Sequence, residues 1–368
     1  MSTSDAAFKL RFSRLLGQMG YFVRRNVPIS TYTPGENLAK RVDITDIDVL
    51  GTYWDEELKP IRMVCECKSG TKAKPLDRCF WLSGVMRFFG AQKGYLVVKE
   101  AGMIPSSVGQ RMDVIVINQA TLTDLERRYE IETDKWTGSC TQDLDSKAVD
   151  YKRTLKESFR PQLNYLIYGY WKDPEYYQIK RLITIGKEVS SKLSASSDAS
   201  KWFYLESVCL FTNSLVTFCQ KVFLVEPLRI HDQVSTQLFG GLMSKIEREG
   251  IAYSAVKFLE AYVETQYNDK LPLKADQIDL DPDYMENLVE LISRLINRPN
   301  QTRLLPYFMD IVCFEFLFKG RNVSNEELRS YAKQNDVFLM IKLTKNLVKF
   351  YIDCTKSRTD VFDPLVNL

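Results

Sequence analysis

The sequence of 368 residues predicts an α/β N-terminal domain built around a central mixed sheet, followed by an all-α C-terminal domain. Two observations support this prediction. As far as about residue 130, short apolar runs with β-strand character alternate with segments of helical period. After residue 135, helical patterns follow one another with almost no alternating segment. We therefore place the sheet domain at residues 1–135 and the helical domain at residues 143–368.

The N-terminal elements are predicted in the order α-β-β-β-α-β-α-β-α. The first is an amphipathic helix at residues 5–19, whose apolar side chains recur at helical spacing. The strands are predicted at residues 21–27, 42–50, 61–68, 94–98 and 114–117. The remaining helices are predicted at residues 76–89, 105–111 and 121–128. Thr121 is the expected N-cap of the last helix, with Asp124 in its first turn.

The C-terminal part is predicted to be helical throughout. Its helices are expected at residues 151–170, 174–193, 201–224, 231–249, 251–267, 282–295, 305–319, 324–334 and 336–354. Ser324 followed by Glu327 is typical of a capping box at a helix start. The aromatic side chains of this part indicate helix packing, and a groove for a partner is the alternative. We expect this domain to bind a protein partner, to sense or to form a homo-oligomer, and to supply no catalytic residue.

Composition narrows the functional classes. A hydrophobic content of 45% and a charged content of 26% are those of an ordinary globular chain. The net charge is only +3, but residues 1–135 hold 20 Lys and Arg against 17 Asp and Glu, so the small basic excess lies with the sheet domain. A single histidine, His231, argues against a zinc site or a His-based triad. The chain has no GxxxxGK[ST] loop, so we expect no nucleotide cofactor.

The cysteines and the apolar runs bear on location. Eight cysteines are scattered without a CxxC pair, and most lie in apolar runs, which predicts buried free thiols in a reducing compartment. The first residues are polar and do not resemble a signal peptide. The uncharged run at residues 207–220 is shorter than the roughly 20 residues that a membrane span needs. We therefore expect a cytoplasmic protein with no membrane partner.

The most informative stretch is residues 43–70, which reads as two apolar strands joined by a polar, acidic turn. Successive side chains of a strand point to opposite faces. Asp46 and Asp48 are therefore expected on one face of the first strand, with Ile47 and Val49 on the other.

The second strand of this hairpin ends in a charged pair. Glu66 and Lys68 are two residues apart and should share a face, while Cys65 and Cys67 point away from it. Burying such charges without partners costs on the order of several kcal/mol each. We therefore expect the carboxylates and the lysine to be paired with one another or to hold a metal ion.

The hairpin resembles a known nuclease signature. Asp48, followed by Val-Leu-Gly, a turn and a hydrophobic strand that ends in Glu66-Cys67-Lys68-Ser-Gly, is similar to the PD-(D/E)XK motif. The resemblance is greatest to the restriction-endonuclease-like branch that includes Mrr-type enzymes and archaeal Holliday junction resolvases. It covers residues 5–130, and it implies a restriction endonuclease-like α/β/α fold with a central mixed sheet.

One departure from the family pattern concerns the first helix. In the families that the chain resembles, this helix often carries a glutamate that faces the site. Here the helix carries Arg11, Arg14 and Gln18 instead. One acidic residue that the resemblance implies is therefore missing.

The residue types suit phosphodiester hydrolysis. A hard cation held by carboxylates can activate water and stabilise a pentacovalent phosphate. We expect Asp48 and Glu66 to bind Mg²⁺ or Mn²⁺ together with the backbone carbonyl of Cys67, and Asp46 is a candidate ligand of a second ion. Lys68 should orient the attacking water or neutralise developing charge, so the expected catalytic residues are Asp48, Glu66 and Lys68. The alternative is a salt-bridge cluster with no catalysis.

Basic side chains lie close to the hairpin in sequence. Lys72, Lys74 and Arg78 follow its second strand and are expected to contact the nucleic-acid backbone. Lys40 and Arg41 precede its first strand, where phosphate contact is one interpretation and a solvated loop is the other.

The resemblance therefore implies a Mg²⁺-dependent endonuclease that acts on DNA rather than RNA, in restriction, phage defence, repair or recombination. The alternative function is a catalytically silent nucleic-acid-binding or scaffold protein on a nuclease fold.

Overall fold

The structure is a computed structural model that describes residues 3–31, 40–70, 74–131, 138–193, 197–267 and 280–368. It contains an N-terminal mixed sheet with flanking helices, followed by a helical C-terminal region. In chain order the N-terminal elements are α1 (Thr3–Gln18), β1 (Phe22–Thr31), β2 (Val42–Trp54), β3 (Pro60–Lys68), α2 (Pro75–Phe89), β4 (Lys93–Val98), α3 (Met103–Gln110), β5 (Val114–Asn118) and α4 (Gln119–Arg128).

The described strands form one sheet in the order β1-β2-β3-β4-β5. The pairs β1–β2 and β2–β3 are antiparallel, while β3–β4 and β4–β5 are parallel. The parallel pairs need crossover connections, which α2 and α3 supply. The predicted order of elements and the mixed sheet are confirmed.

The start of α4 corrects a sequence prediction. The helix begins at Gln119, and its N-cap is Asn118, whose side chain accepts a hydrogen bond from the backbone N–H of Thr121. Thr121 is therefore inside the helix, and Asp124 lies beyond the first turn. The strand β5 runs directly into the helix, so the asparagine at the end of the strand takes the capping position.

The sheet is covered on both faces by separate apolar clusters. On one face, side chains of α1 and α4 such as Phe12 and Leu122 pack against Val49 of β2. On the other face, side chains of α2 such as Leu82 pack against Leu50 and other strand residues. This arrangement gives three layers, helix over sheet over helix, with the strands buried on both sides.

The described part of the C-terminal region is helical. Its helices are α5 (Gln142–Leu155), α6 (Arg160–Asn164) with a π-helical turn at Tyr165–Gly169, α7 (Glu175–Ser190), α8 (Asp198–Cys219), α9 (Ile230–Leu238), α10 (Leu242–Tyr267), α11 (Met285–Ile296), α12 (Pro299–Thr302), α13 (Leu305–Lys319), α14 (Asn325–Tyr331), α15 (Val337–Thr355) and α16 (Asp363–Val366). Short 3₁₀ turns lie at Gly138–Cys140, Pro227–Arg229 and Thr359–Phe362.

Most of the predicted helices are present, and two predictions are corrected. The single helix predicted at 151–170 is interrupted after Leu155, because Pro161 in the first turn of α6 has no N–H to donate to the carbonyl four residues earlier and its ring would clash with that carbonyl. The helix predicted at 231–249 is divided at Gly240-Gly241 into α9 and the start of α10, and α10 continues through Gly250 into the helix predicted at 251–267. The capping box of Ser324 and Glu327 at the start of α14 is confirmed.

The sheet and the helical region share buried contacts. Phe22 of β1 and Trp54 and Leu58 around the end of β2 belong to the same apolar cluster as the helical region. The indole N–H of Trp54 donates to Thr217 Oγ1 of α8 at 3.1 Å. The boundary at residue 135 stays a prediction, and this shared cluster joins the two parts across it.

A buried charged cluster also joins the two parts. Arg24 of β1 donates through Nε and Nη2 to the carboxylate of Glu206 on α8, at 2.9 and 2.8 Å. Its Nη1 donates to Asp310 Oδ1 of α13 at 2.5 Å. All three side chains are buried. The two carboxylates raise the pKa of Arg24 above its usual value, against the opposing effect of burial, so this cation is permanent.

All eight cysteines lie within the described residues and are buried thiols outside any disulfide bond, as the sequence predicts. Within the described ranges, no helix combines the length and the apolar character that a membrane crossing requires.

Candidate active site

The candidate site lies where β2 and β3 separate. Their backbone pairing runs from Trp54↔Pro60 to Val49↔Cys65 and stops there. One step further along, the N–H of Cys67 donates to Asp48 Oδ2 at 2.7 Å, where a regular ladder would use a backbone carbonyl. The carboxylate of Asp48 is thus inserted between the strands, and it is only 3% exposed.

The strands change face at this point, which corrects the expected alternation. Ile47 packs in the cluster on the α2 side of the sheet, whereas Val49 packs on the α1 side, so the prediction that they share a face is wrong. β1 changes face in the same way between Val23 and Val27. Between Val23 and Val27, Asn26 has a φ of +53°, a conformation that few residues other than glycine adopt. This local turn of the backbone breaks the period of two.

Glu66 and Lys68 lie at the site as predicted. Lys68 Nζ is 2.8 Å from Glu66 Oε1 and 3.8 Å from Asp48 Oδ2. Arg78 Nη1 of α2 is 3.6 Å from the same Glu66 oxygen. Cys65 and Cys67 point into the apolar cluster under α1, away from these charges, as predicted.

The pKa values of Glu66 and Lys68 are both raised. Burial and the neighbouring Asp48 carboxylate raise the pKa of Glu66 to about 7, although Lys68 and Arg78 oppose this shift. Burial alone would lower the pKa of Lys68, but its hydrogen bond to Glu66 and the two carboxylate charges raise it. Lys68 is therefore a stable cation at neutral pH and cannot act as a proton acceptor there.

A second lysine, Lys9 of α1, also reaches the site. Its Nζ is 2.6 Å from Asp48 Oδ1 and donates to Asn26 Oδ1 at 2.6 Å. Asp46 Oδ2 is 4.0 Å away, and the Asp46 side chain is half exposed. Asp48 therefore has a buried cation on one oxygen and a backbone N–H on the other.

The first helix supplies an acid after all. Asp5 of α1 accepts hydrogen bonds from the N–H and the hydroxyl of Ser69, directly after β3. Burial opposes ionisation, but these hydrogen bonds hold the pKa of Asp5 below its usual range. Asp5 also lines a surface pocket of about 520 Å³ together with Lys68, Arg78 and Trp81. Lys68 is thus the predicted catalytic residue at which the site borders this pocket.

The predicted nucleic-acid contacts have different surroundings. Lys74 is exposed at the rim of the pocket, 3.9 Å from Asp77. Arg78 lies inside the pocket, with its guanidinium over the ring of Trp81 at 5.7 Å. Lys72 lies outside the described residues.

The other predicted basic pair lies at the start of β2. Lys40 is exposed. Arg41 Nε is 3.0 Å from Asp43 Oδ1, and the Arg41 guanidinium lies 3.6 Å from the ring centre of Tyr168. Arg41 is thus held against the helical region, whereas Lys40 can reach a ligand.

The donor set can be compared with the needs of a metal ion. Among the described residues, no three His, Cys, Asp or Glu side chains are grouped as they would be around a metal. The two carboxylates of Asp48 and Glu66 fit Mg²⁺ or Mn²⁺ in donor type, because both are buried oxygens at adjacent strands. The Cys67 carbonyl stays a predicted ligand. Lys9 already holds one Asp48 oxygen, so binding there requires that this lysine withdraw.

Sequence reasoning missed Lys9, Asp5 and Asn26. The first helix was expected to offer a glutamate and carries arginines instead, of which Arg11 binds Glu126 of α4. The available signal was the spacing of Asp5 and Lys9, which are four residues apart and so lie on one helix face. No sequence signal indicates the turned backbone at Asn26.

Comparison with known proteins adds no relative to this picture. No family model, no curated protein and no solved structure matches the chain significantly.

Proposed function

We propose that the chain is a metal-dependent nuclease that hydrolyses phosphodiester bonds, with Asp48, Glu66 and Lys68 as its catalytic residues. The observation that carries this proposal is the convergence of these three side chains at the opening between β2 and β3. A buried carboxylate with a raised pKa, such as Glu66, beside a second carboxylate is an arrangement that functional sites often contain. The basic pocket next to them gives a phosphate group a way in.

Each residue has a role that follows from its position. A bound divalent cation would lower the pKa of water and polarise the phosphate. Asp48 and Glu66 would hold this ion, and Asp46, with its half-exposed carboxylate, would take part only in binding a second one. Lys68 would contribute positive charge toward the phosphate oxygens, since it stays protonated.

The pocket supports contact with the nucleic-acid backbone. Arg78 and Lys74 lie in or at the rim of the pocket, and Lys72 stands two positions before Lys74 in the sequence. Lys40 is a further candidate, while Arg41 would first have to leave Asp43. DNA as the substrate, and a role in defence or repair, are proposals that depend on the resemblance of the hairpin alone.

A cleavage assay tests the proposal. The purified chain is incubated with Mg²⁺ or Mn²⁺ and with linear, nicked, branched and single-stranded substrates. Glu66→Gln should reduce the rate on the order of 100-fold or more, because it removes one charged ligand. Glu57→Gln, at an exposed position in the turn before β3, is the control and should retain full activity. Equal activity of Glu66→Gln and wild type at matched purity would overturn the site.

Binding tests the pocket separately from cleavage. Replacing Lys72, Lys74 and Arg78 together by alanine should weaken binding to all sequences equally. The slope of log affinity against log salt should fall by about one unit for each phosphate that the variant no longer neutralises. An unchanged slope would show that the pocket does not hold the backbone.

One observation favours a second candidate, a catalytically silent nucleic-acid-binding protein. The cations Lys9, Lys68 and Arg78 already lie within 4 Å of the Asp48 and Glu66 carboxylates, so both carboxylates have cationic partners without a metal. This candidate predicts binding of the same substrates with no cleavage under any metal condition. The assay above therefore separates the two functions.

Assembly through the helical region stays a prediction. The helix α10 carries several exposed apolar side chains, among them Ile251, Phe258 and Tyr262. It is the segment from which a search for a self-association surface should start.

A further inference from the structure

Lys9 lies where a lysine is unexpected. It is 3% exposed, although a buried lysine loses the hydration of its ammonium group. Its contacts at 2.6 Å to Asp48 Oδ1 and 2.6 Å to Asn26 Oδ1 replace that hydration in part. The ammonium group is thus fixed between two strands by a carboxylate and an amide.

The second of these partners has an unusual backbone conformation. Asn26 has a φ of +53°, in the left-handed region that few residues other than glycine adopt. This backbone turn lies opposite Asp48, where the regular pairing of β1 and β2 omits one step between Arg25↔Val49 and Val27↔Ile47. Asn26 thus stands at the point where its side chain can accept from Lys9.

The position of the ammonium group has a direct consequence for cations. Asp48 Oδ1 is the oxygen that Lys9 holds, and Oδ2 accepts from the N–H of Cys67. A divalent ion that uses Asp48 would meet a positive charge already within 3 Å of that carboxylate. Repulsion between two cations so close in a buried site is strong. Asn26 remains as an acceptor when the lysine leaves Asp48.

We propose that Lys9 is an internal counter-ion that competes with divalent metal for Asp48 and so sets the metal concentration at which the site becomes occupied. This inference rests on the proposed function, because it assumes that Asp48 is a metal ligand. In the absence of metal, Lys9 holds the Asp48 carboxylate in place. When a metal enters, Lys9 withdraws to Asn26 and the site changes from a paired to a metal-bound state.

The test is metal binding and not cleavage. Mn²⁺ is titrated by calorimetry into the metal-free full-length wild type, Lys9→Met and Lys9→Gln. Both variants remove the charge, and glutamine keeps a hydrogen-bonding group for Asn26. Each should bind Mn²⁺ at least about tenfold more tightly than wild type. Lys59→Met, at an exposed position before β3, is the control and should bind as wild type does.

Thermal unfolding gives a second readout. A ligand that binds only the folded state raises the unfolding temperature, and it does so more strongly the tighter it binds. Without metal, Lys9→Met should unfold at a lower temperature than wild type. Added Mn²⁺ should raise the unfolding temperature of Lys9→Met by more than that of wild type. If both Lys9 variants fail to fold even with Mn²⁺, Lys9 is a structural cation and the proposal is overturned.

The outcomes separate this inference from the proposed function. Unchanged or weaker Mn²⁺ binding in Lys9→Met and Lys9→Gln, with a wild type that binds and cleaves, overturns the inference and leaves the nuclease intact. Binding by the Lys9 variants alone supports the inference and contradicts metal-dependent cleavage by the wild type. Absence of binding in every variant overturns both.

Discussion

The buried arginine that joins the sheet to the helices gives the most direct stability prediction. Arg24 makes two hydrogen bonds to Glu206 and one to Asp310, and all three side chains are buried. Replacing Arg24 by methionine keeps most of the side-chain volume and removes the charge. Two carboxylates are then left in the interior without their cation.

The expected loss follows from the cost of that unpaired charge. Removing one partner of a buried ion pair costs about 3–5 kcal/mol. Folded domains have total unfolding free energies of about 5–15 kcal/mol. Arg24→Met should therefore lose a large part of the stability of the whole chain. Urea unfolding, followed by circular dichroism and by tryptophan fluorescence, measures the loss in both parts of the protein.

Two further variants identify the cause. Arg127→Met removes the cation of an exposed pair with Asp124 and should cost less than about 1 kcal/mol. The triple variant Arg24→Met, Glu206→Gln, Asp310→Asn should recover much of the loss, because no charge stays buried. A loss below about 1 kcal/mol in Arg24→Met, or no recovery in the triple variant, would refute this reasoning.

Three other features of the structure, the Asp48 site, two helix glycines and the Glu327 carboxylate, lead to further predictions. Asp48→Asn should abolish cleavage and Asp46→Asn should leave most of it, since Asp48 is the one of the two that is buried between the strands. Loss of cleavage with Asp46→Asn alone would reverse the assignment of Asp48 as the ligand. A Cβ at Gly186 would overlap a side chain of α15, so Gly186→Ala should cost about 1–3 kcal/mol in urea unfolding. Gly250→Ala, in an exposed stretch of α10 with open space around it, should instead raise the free energy of unfolding by about 0.5–1 kcal/mol. A similar loss of stability in both variants would contradict this interpretation. The hydrogen bond from Arg321 lowers the pKa of Glu327 to about 2, so the stability that its carboxylate adds should be present above about pH 4.5 and lost as the pH falls toward 2. Unfolding of wild type and Glu327→Gln across this range measures that difference, and an equal difference at both ends would contradict the assignment.

The sequence predicted helix bounds correctly where a proline or a glycine sets them. The helix at Leu305–Lys319 has the predicted bounds, because Pro306 begins it and Gly320 ends it with a φ of +64°. The interruption before α6 was missed although Pro161 was visible in the sequence. The apolar period continues through the break, and that period outweighed the proline in the prediction.

The site was predicted only as far as strand alternation holds. Glu66 and Lys68 share a face, as expected, because β3 is regular at that point. Around Asp48 the alternation fails, since the turned backbone at Asn26 depends on contacts that the sequence does not show. Lys9 was missed for a related reason, because a lysine on a helix normally indicates a solvated face.

The helical region is joined to the strand that carries Asn26. Arg24 fixes β1 to α8 and α13, and only two residues later Asn26 accepts the hydrogen bond of Lys9. The position of Asn26 therefore depends on helices that contribute no carboxylate to the site among the described residues. A shift of α8 relative to the sheet would move β1 and, with it, the amide oxygen of Asn26 that accepts from Lys9. The helices α8 and α13 thus influence the position of the cation beside Asp48 through β1.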